Sequence, residues 1–219
     1  MKIVLFNAPP RAGKDTAANG VLIGMCNRQA SESPKAYITG IHKMATPLKE
    51  AAHALFGVTM SAGEIEMHKD EPLHEFLGRT PRQVYISLSE DYMKPTYGIS
   101  AFAHIFINRL RKRERLANIA TGQDYLCICS DLGFNEELEP IVTEFGADNV
   151  LLVRIKREGC DFKNDSRSYL KHPDITSHWL HNNGTVDDLQ QNAFRMVADW
   201  LDSKGEYANK SADTQNAVA

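Results

Sequence analysis

The chain has 219 residues, 42% of them hydrophobic and 24% charged, with a formal net charge of -3. That length suits one domain with excursions or a core with a small mobile cap, and the charge supplies no basic field for a nucleic-acid polymer. No apolar stretch approaches the length of a membrane span. The opening run Ile3–Phe6 is too short for a secretory segment and is broken by Pro9 and Pro10, so a cytoplasmic protein is expected. The four cysteines, Cys26, Cys127, Cys129 and Cys160, have no zinc-ligand spacing and read as free thiols.

In chain order, residues 2–7 form a compact apolar run fit for a buried parallel strand. A Pro/Gly loop and an Ala-rich helix from Lys14 to about Arg28 follow. Ser31–Lys35 reads as a loop and Ala36–Ile41 as a second strand. Pro47 opens a helix through Phe56, stopped by Gly57. Residues 58–78 are charged and weakly periodic. Thr80, Pro81 and Gln83 make a capping box for a helix to about Tyr92, which Pro95 and Gly98 break.

Ser100 is placed to cap the next helix, which ends in the basic stretch Arg109–Arg115. Its interleaved Leu110 and Glu114 make that stretch a solvated helix face. Strands are expected at Tyr125–Ser130, Asn149–Ile155 and Ser177–His181, and helices over Glu136–Phe145 and from Thr185 to Leu201. Residues 156–175 are polar and read as a loop or flap, and residues 204–219 as a disordered tail. Strands alternating with helices predict an α/β fold, a parallel sheet covered on both faces.

The strongest motif is Ala8-Pro9-Pro10-Arg11-Ala12-Gly13-Lys14-Asp15-Thr16, between the first strand and the first helix. Strand, loop and helix in that order are what a phosphate-binding loop requires. Backbone N–H groups of such a loop form an anion nest, and the helix N-terminus adds roughly half a positive charge. Arg11, Ala12, Gly13, Lys14, Asp15 and Thr16 are therefore the expected nucleotide-binding residues, with Lys14 reaching the β- and γ-phosphates of ATP. Ala8 stands in the place of the usual first glycine, so no positive φ is expected there. Asp15 stands where Ser or Thr usually ligates Mg²⁺; it reads equally as a metal-side carboxylate or as a helix N-terminal charge.

The loop Arg-Ala-Gly-Lys-Asp-Thr resembles that of the phage-type deoxynucleoside monophosphate kinases. Thr46-Pro47-Leu48-Lys49 with Leu55-Phe56-Gly57, Thr80-Pro81-Arg82-Gln83, Ser130-Asp131-Leu132-Gly133-Phe134-Asn135-Glu136 and His181-Asn182-Asn183-Gly184-Thr185 resemble further segments of that family, in the same order. The resemblance spans about residues 2–203. It departs at Gly133, near where the family often has an arginine.

The resemblance implies a P-loop kinase domain over 1–203, with an acceptor-binding helical region at about 44–118 and a lid at about 156–175. It implies ATP and Mg²⁺ as cofactors, a deoxynucleoside monophosphate as acceptor, no membrane partner and, in many members, a homodimer; a phage protein would act in its host's cytoplasm. Lys14, Asp15, Asp131, Arg157 and Arg167 are the expected catalytic residues, with Asp15 and Asp131 on the metal. Asp131 ends a strand in the manner of a metal-holding carboxylate, or else caps a helix. Lys49 and Arg82 are expected on the acceptor phosphate, and Tyr97, beside Gly98, on the acceptor base. The alternatives are a P-loop kinase for another small phosphate ester, of the dephospho-coenzyme A or phosphomevalonate kind, and an ATP-binding module that transfers nothing.

Overall fold

The structure, a computed structural model, describes residues 1–30, 37–163 and 165–216, the side chains of 204–216 excepted. The loop expected at 31–35 and the strand start at Ala36 lie outside the described residues.

Five strands are found among them: β1 (Lys2–Asn7), β2 (Tyr37–His42), β3 (Asp124–Cys129), β4 (Val150–Lys156) and β5 (Thr176–His181). All pair in parallel, in the order β2-β3-β1-β4-β5. The strands are apolar on both faces because both faces are covered. On one side Ile3, Leu5, Cys127, Cys129 and Leu152 pack under α6 (Ala101–Thr121) and α7 (Asn135–Phe145). On the other, Val4, Phe6, Ile128, Leu151 and Val153 pack under α1 (Lys14–Ala30) and α8 (Val186–Asn216). This is the expected α/β architecture, a parallel sheet between two helical layers.

The sheet order sets the site. The chain leaves β1 for α1 on one face and leaves β3 for α7 on the other. Since β1 and β3 are neighbours, their C-terminal ends open a crevice where the following loops diverge, which is where ligands of open α/β sheets bind.

The layer of α1 and α8 is unusually close. A Cβ on Gly20 would come 2.5 Å from the Cα of Gln190, a backbone atom that cannot swing aside, and one on Gly24 would overlap the Phe194 ring. Gly20→Ala gains about 1 kcal/mol of helix propensity, but overpacking against backbone costs about 1–3 kcal/mol. A net loss is expected, read as a lowered midpoint in thermal unfolding followed by circular dichroism.

Four expectations change. Residues 58–78 contain a helix, α3 (Ala62–Met67), with a complete capping box from Ser61 and Glu64. The helix capped by Thr80 and Gln83, α4 (Pro81–Ile86), does not break at Pro95. It widens into a π-helical turn, Ser87–Met93, in which Lys94 N–H reaches back to Ser89 O, and continues as α5 (Lys94–Tyr97). Pro95 comes just after that turn, where the ladder has already slipped from its i→i−4 spacing and a missing N–H is absorbed without a break. Ser100 precedes α6, but its side chain caps nothing there. The last helix runs beyond Leu201 to Asn216; extending an established helix costs far less than starting one. The end of the expected disordered tail, residues 217–219, lies outside the described residues.

Between β2 and β3 the chain makes a small helical cap. Here α2 (Thr46–Phe56) closes on Gly57 in the left-handed conformation, as its sequence predicts. Ala52, Ile65, Phe76 and Val84 form the cap's own core, so α2, α3 and α4 pack on one another beside the sheet's crevice.

Candidate active site

The loop after β1 has positive φ at Arg11 (62°) and Gly13 (98°), with Ala12 between them; Ala8 has none. Left-handed residues alternating in a short loop turn backbone N–H groups to one side, the geometry of an anion nest. Gly13 is required twice over, since a Cβ there would also lie 2.7 Å from Asn182 Nδ2 and 2.8 Å from Leu189 Cδ2. The loop is held from outside. Asn182 Nδ2 donates to Ala12 O at 2.9 Å and Arg157 Nη1 to Arg11 O at 3.1 Å. Lys14 Nζ donates to Ala8 O at 2.6 Å and Pro9 O at 2.9 Å, lying across the loop. Burial and then the Arg167 charge push the Lys14 ammonium below the usual lysine range, against Asp15, Asp165 and Asp131.

Beside the loop lies a cleft of about 750 Å³, lined by Asp15, Lys43, Lys49, Arg82, Asp131 and Arg167 among others. It therefore gathers residues from α1, the β2–α2 turn, α2, α4, the end of β3 and the polar 156–175 segment. Each cation has an acid partner: Lys43 with Asp15 at 2.8 Å, Lys49 with Glu66 at 3.1 Å, Arg82 with Asp70, and Arg167 with Asp165. The Arg82 and Arg167 pairs are two-pronged forks. Burial pushes the Asp15 carboxyl up, but hydrogen bonds from Lys43 and Ser130 outweigh it and hold the group below its ordinary value. The hydrogen bond from Arg167 likewise holds Asp165 low, and Asp165 in turn raises Arg167.

The two metal candidates differ. Asp15 is solvent-exposed and spends Oδ1 on Ser130 Oγ and Lys43 Nζ. Its position beside the loop suits a hard cation whose other ligands are phosphate and water. Asp131 has both oxygens committed: Oδ1 accepts Met44 N–H at 2.8 Å and Oδ2 accepts Ala45 N–H at 3.1 Å. It therefore caps the entry to α2, not the helix that follows it in sequence. Among the described residues, no group of three His, Cys, Asp or Glu side chains is set to hold a metal ion. No described helix is long and apolar enough to cross a membrane.

Of the other expected residues, Arg157 braces the loop and does not line the cleft. Thr16 is half-buried in the first turn of α1. Tyr97 does not line the cleft; it is exposed and stands edge-on to Tyr92, centroids 6.2 Å apart. The reason is the unbroken helix at Pro95, which keeps Tyr97 on a helix end instead of a loop. Tyr85 lines the cleft in its stead, with His53 Nε2 2.6 Å from its hydroxyl and Lys49 Nζ 5.4 Å from its ring centre.

Three side chains escaped the sequence reading. Lys43 follows β2 with no local motif. Asn182 was within a quoted segment but had no role. Asn7, 1% exposed, closes β1: Nδ2 donates to Ser168 O (3.2 Å) and Leu132 O (3.4 Å), and Oδ1 accepts Leu170 N–H (3.0 Å). A buried amide at the end of an apolar strand was the available signal, since such a group must find partners.

No family model matches the chain, and no curated protein is similar to it. Among solved structures, an unliganded sugar kinase from Janibacter sp. HTCC2649 is similar at 14% identity with a TM-score of 0.41, covering 92% of this chain and 95% of that one. A likeness of that size bears on neither mechanism nor substrate.

Proposed function

We propose that the chain transfers the terminal phosphoryl group of ATP to the phosphate of a deoxynucleoside monophosphate, giving ADP and the diphosphate. The observation that carries this reading is the adjacency of two anion sites. A nest-shaped loop with Lys14 opens beside a separate cleft holding Lys43, Lys49, Arg82 and Arg167, and Asp15 stands in both. A hydrolase needs one anion site and a water; a transferase between two phosphates needs two sites, facing each other.

In this reading the loop N–H groups and Lys14 hold the β- and γ-phosphates. Lys49 and Arg82 turn from Glu66 and Asp70 to the acceptor phosphate, as a dianion competes for each cation. An acceptor oxygen attacks the γ-phosphorus as the bond to the ADP oxygen breaks. Lys43 and Arg167 neutralise charge on the transferring group, since phosphoryl transfer depends on positioning and charge more than on covalent help. Mg²⁺, held through Asp15 and the phosphates, would neutralise the β- and γ-oxygens. Tyr85 offers a ring face for the base, the role the sequence gave to Tyr97. Arg157 steadies the donor loop.

The deoxynucleotide assignment comes from the resemblance of the quoted segments. The test is ADP release with ATP and Mg²⁺ across the four deoxynucleoside monophosphates, the ribonucleotides, dephospho-coenzyme A and phosphomevalonate. At least one deoxynucleotide is expected to exceed the non-nucleotide acceptors by 100-fold or more in kcat/KM, on the order expected where mismatched polar groups are left unpaired. Turnover only with a non-nucleotide acceptor would replace the substrate class, and ATP binding with no acceptor-dependent turnover would remove the transferase reading.

A further inference from the structure

Gly133 follows β3 in the turn before α7, and its φ lies outside the left-handed region. Its N–H and that of Phe134 donate to the buried Glu137 carboxylate, at 3.1 and 3.2 Å. Any residue could make that backbone contact in that conformation, so the turn itself does not call for glycine. Space does. A Cβ at 133 would lie 2.6 Å from Arg167 Cδ and 3.1 Å from Cγ; with Nε these are its three nearest atoms. Ordinary carbon contact is about 3.5–4.0 Å.

We propose that Gly133 is a positioning residue for Arg167: its missing side chain is the channel through which the arginine stem reaches the cleft. The stem borders open cleft, but it is held at its backbone and at its head. Asn7 ties Leu132, next to Gly133, and Ser168 and Leu170, around Arg167, to one buried amide. Asp165 clamps the far end through Nε at 2.8 Å and Nη2 at 2.5 Å. With both ends held, relieving the overlap rotates the stem and carries the guanidinium by about 1 Å, the gap between that 2.6 Å approach and ordinary carbon contact, while the turn and sheet stay in place. Charge placement, and not folding, is what the glycine protects. The role of Arg167 in phosphoryl transfer is that of the proposed function, on which this inference rests.

The test is a cycle of wild type, Gly133→Ala, Arg167→Ala and the double variant, with kcat, both KM values, ATP affinity by calorimetry and melting temperature. Gly133→Ala is expected to lower kcat about 10- to 100-fold, the scale of a 1 Å misplacement, with the melting temperature unchanged. In the Arg167→Ala background the same substitution is expected to change nothing further. Full activity of Gly133→Ala, an equal loss in both backgrounds, or a melting temperature that falls with activity would each overturn the positioning role. Should wild type bind ATP yet turn over no acceptor, the transferase reading fails separately. The cycle is then read in ATP affinity, weakened by Gly133→Ala only where Arg167 is present; four equal affinities overturn the proposal, as does a wild type that binds no ATP.

Discussion

Lys14→Ala is expected to lower kcat/KM for ATP by about 10²–10³-fold, the equivalent of about 3–4 kcal/mol for a charge aimed at the transferring phosphates. The size follows from the setting. Lys14 is partly buried and its ammonium is 2.6 and 2.9 Å from two loop carbonyls. Burial and Arg167 disfavour its charge, Asp15, Asp165 and Asp131 only partly offset them, and an incoming anion would be the missing partner. Lys14 lies across the loop on two neutral acceptors, which in the proposed function give way to the triphosphate. Alanine keeps the helix start, because α1 is anchored by Ala17, Ala18 and Val21 in the core and not by Lys14. Circular dichroism should therefore match wild type while calorimetric ATP affinity falls. A variant that keeps wild-type kcat/KM and ATP affinity would mean that the phosphates sit elsewhere, and the loop would lose its assigned role. Lys14→Arg is expected to restore little, since a planar fork does not replace a compact ammonium at a tight loop.

What was legible in the sequence is what local chemistry determines. The strand 2–7, the loop and the start of α1 are adjacent in sequence, and a compact apolar run, Gly13, Lys14 and a helix signal suffice to read them. Gly57 and the Thr80–Gln83 box were equally local. The six-residue α3 was missed although Ser61 and Glu64 spell a capping box, because its stretch is too short to show a period. Pro95 does not end its helix because the π-helical turn before it has already shifted the ladder its missing N–H would break, a feature no local pattern announces.

The cleft was half legible. Lys49 and Arg82 could be named from motifs, but Lys43, Asn7 and Asn182 act across the chain. Asn7 and Ser168 are 161 residues apart, and Asn182 and Ala12 are 170 apart. Nothing local marks such partners. Gly133 shows the same limit from the other side: its sequence neighbourhood says only that a side chain is missing, and the reason lies on a segment 34 residues later.

Asp131→Asn separates the two roles that carboxylate could have. In the structure its oxygens accept the N–H groups of Met44 and Ala45, tying the start of α2 to the end of β3. Asparagine offers one acceptor oxygen and turns an NH₂ toward the other N–H. One backbone donor is left unsatisfied at about 1–3 kcal/mol, and the favourable charge at the start of α2 is lost at about 0.3–1 kcal/mol. The helix carries Thr46, Lys49, Glu50 and His53 into the cleft, and Lys43 lies just before it. Loosening it should therefore blur the acceptor side while leaving the loop around Lys14 alone. The expected result is a melting temperature lower by several degrees and a raised acceptor KM, with ATP affinity and the Mg²⁺ concentration for half activity unchanged. A metal ligand would give the opposite pattern: a stable protein, a collapsed kcat and a demand for more Mg²⁺. That outcome would return Asp131 to the metal and leave the two N–H contacts as incidental, whereas the first assigns the carboxylate to holding the acceptor cleft in register with the donor loop.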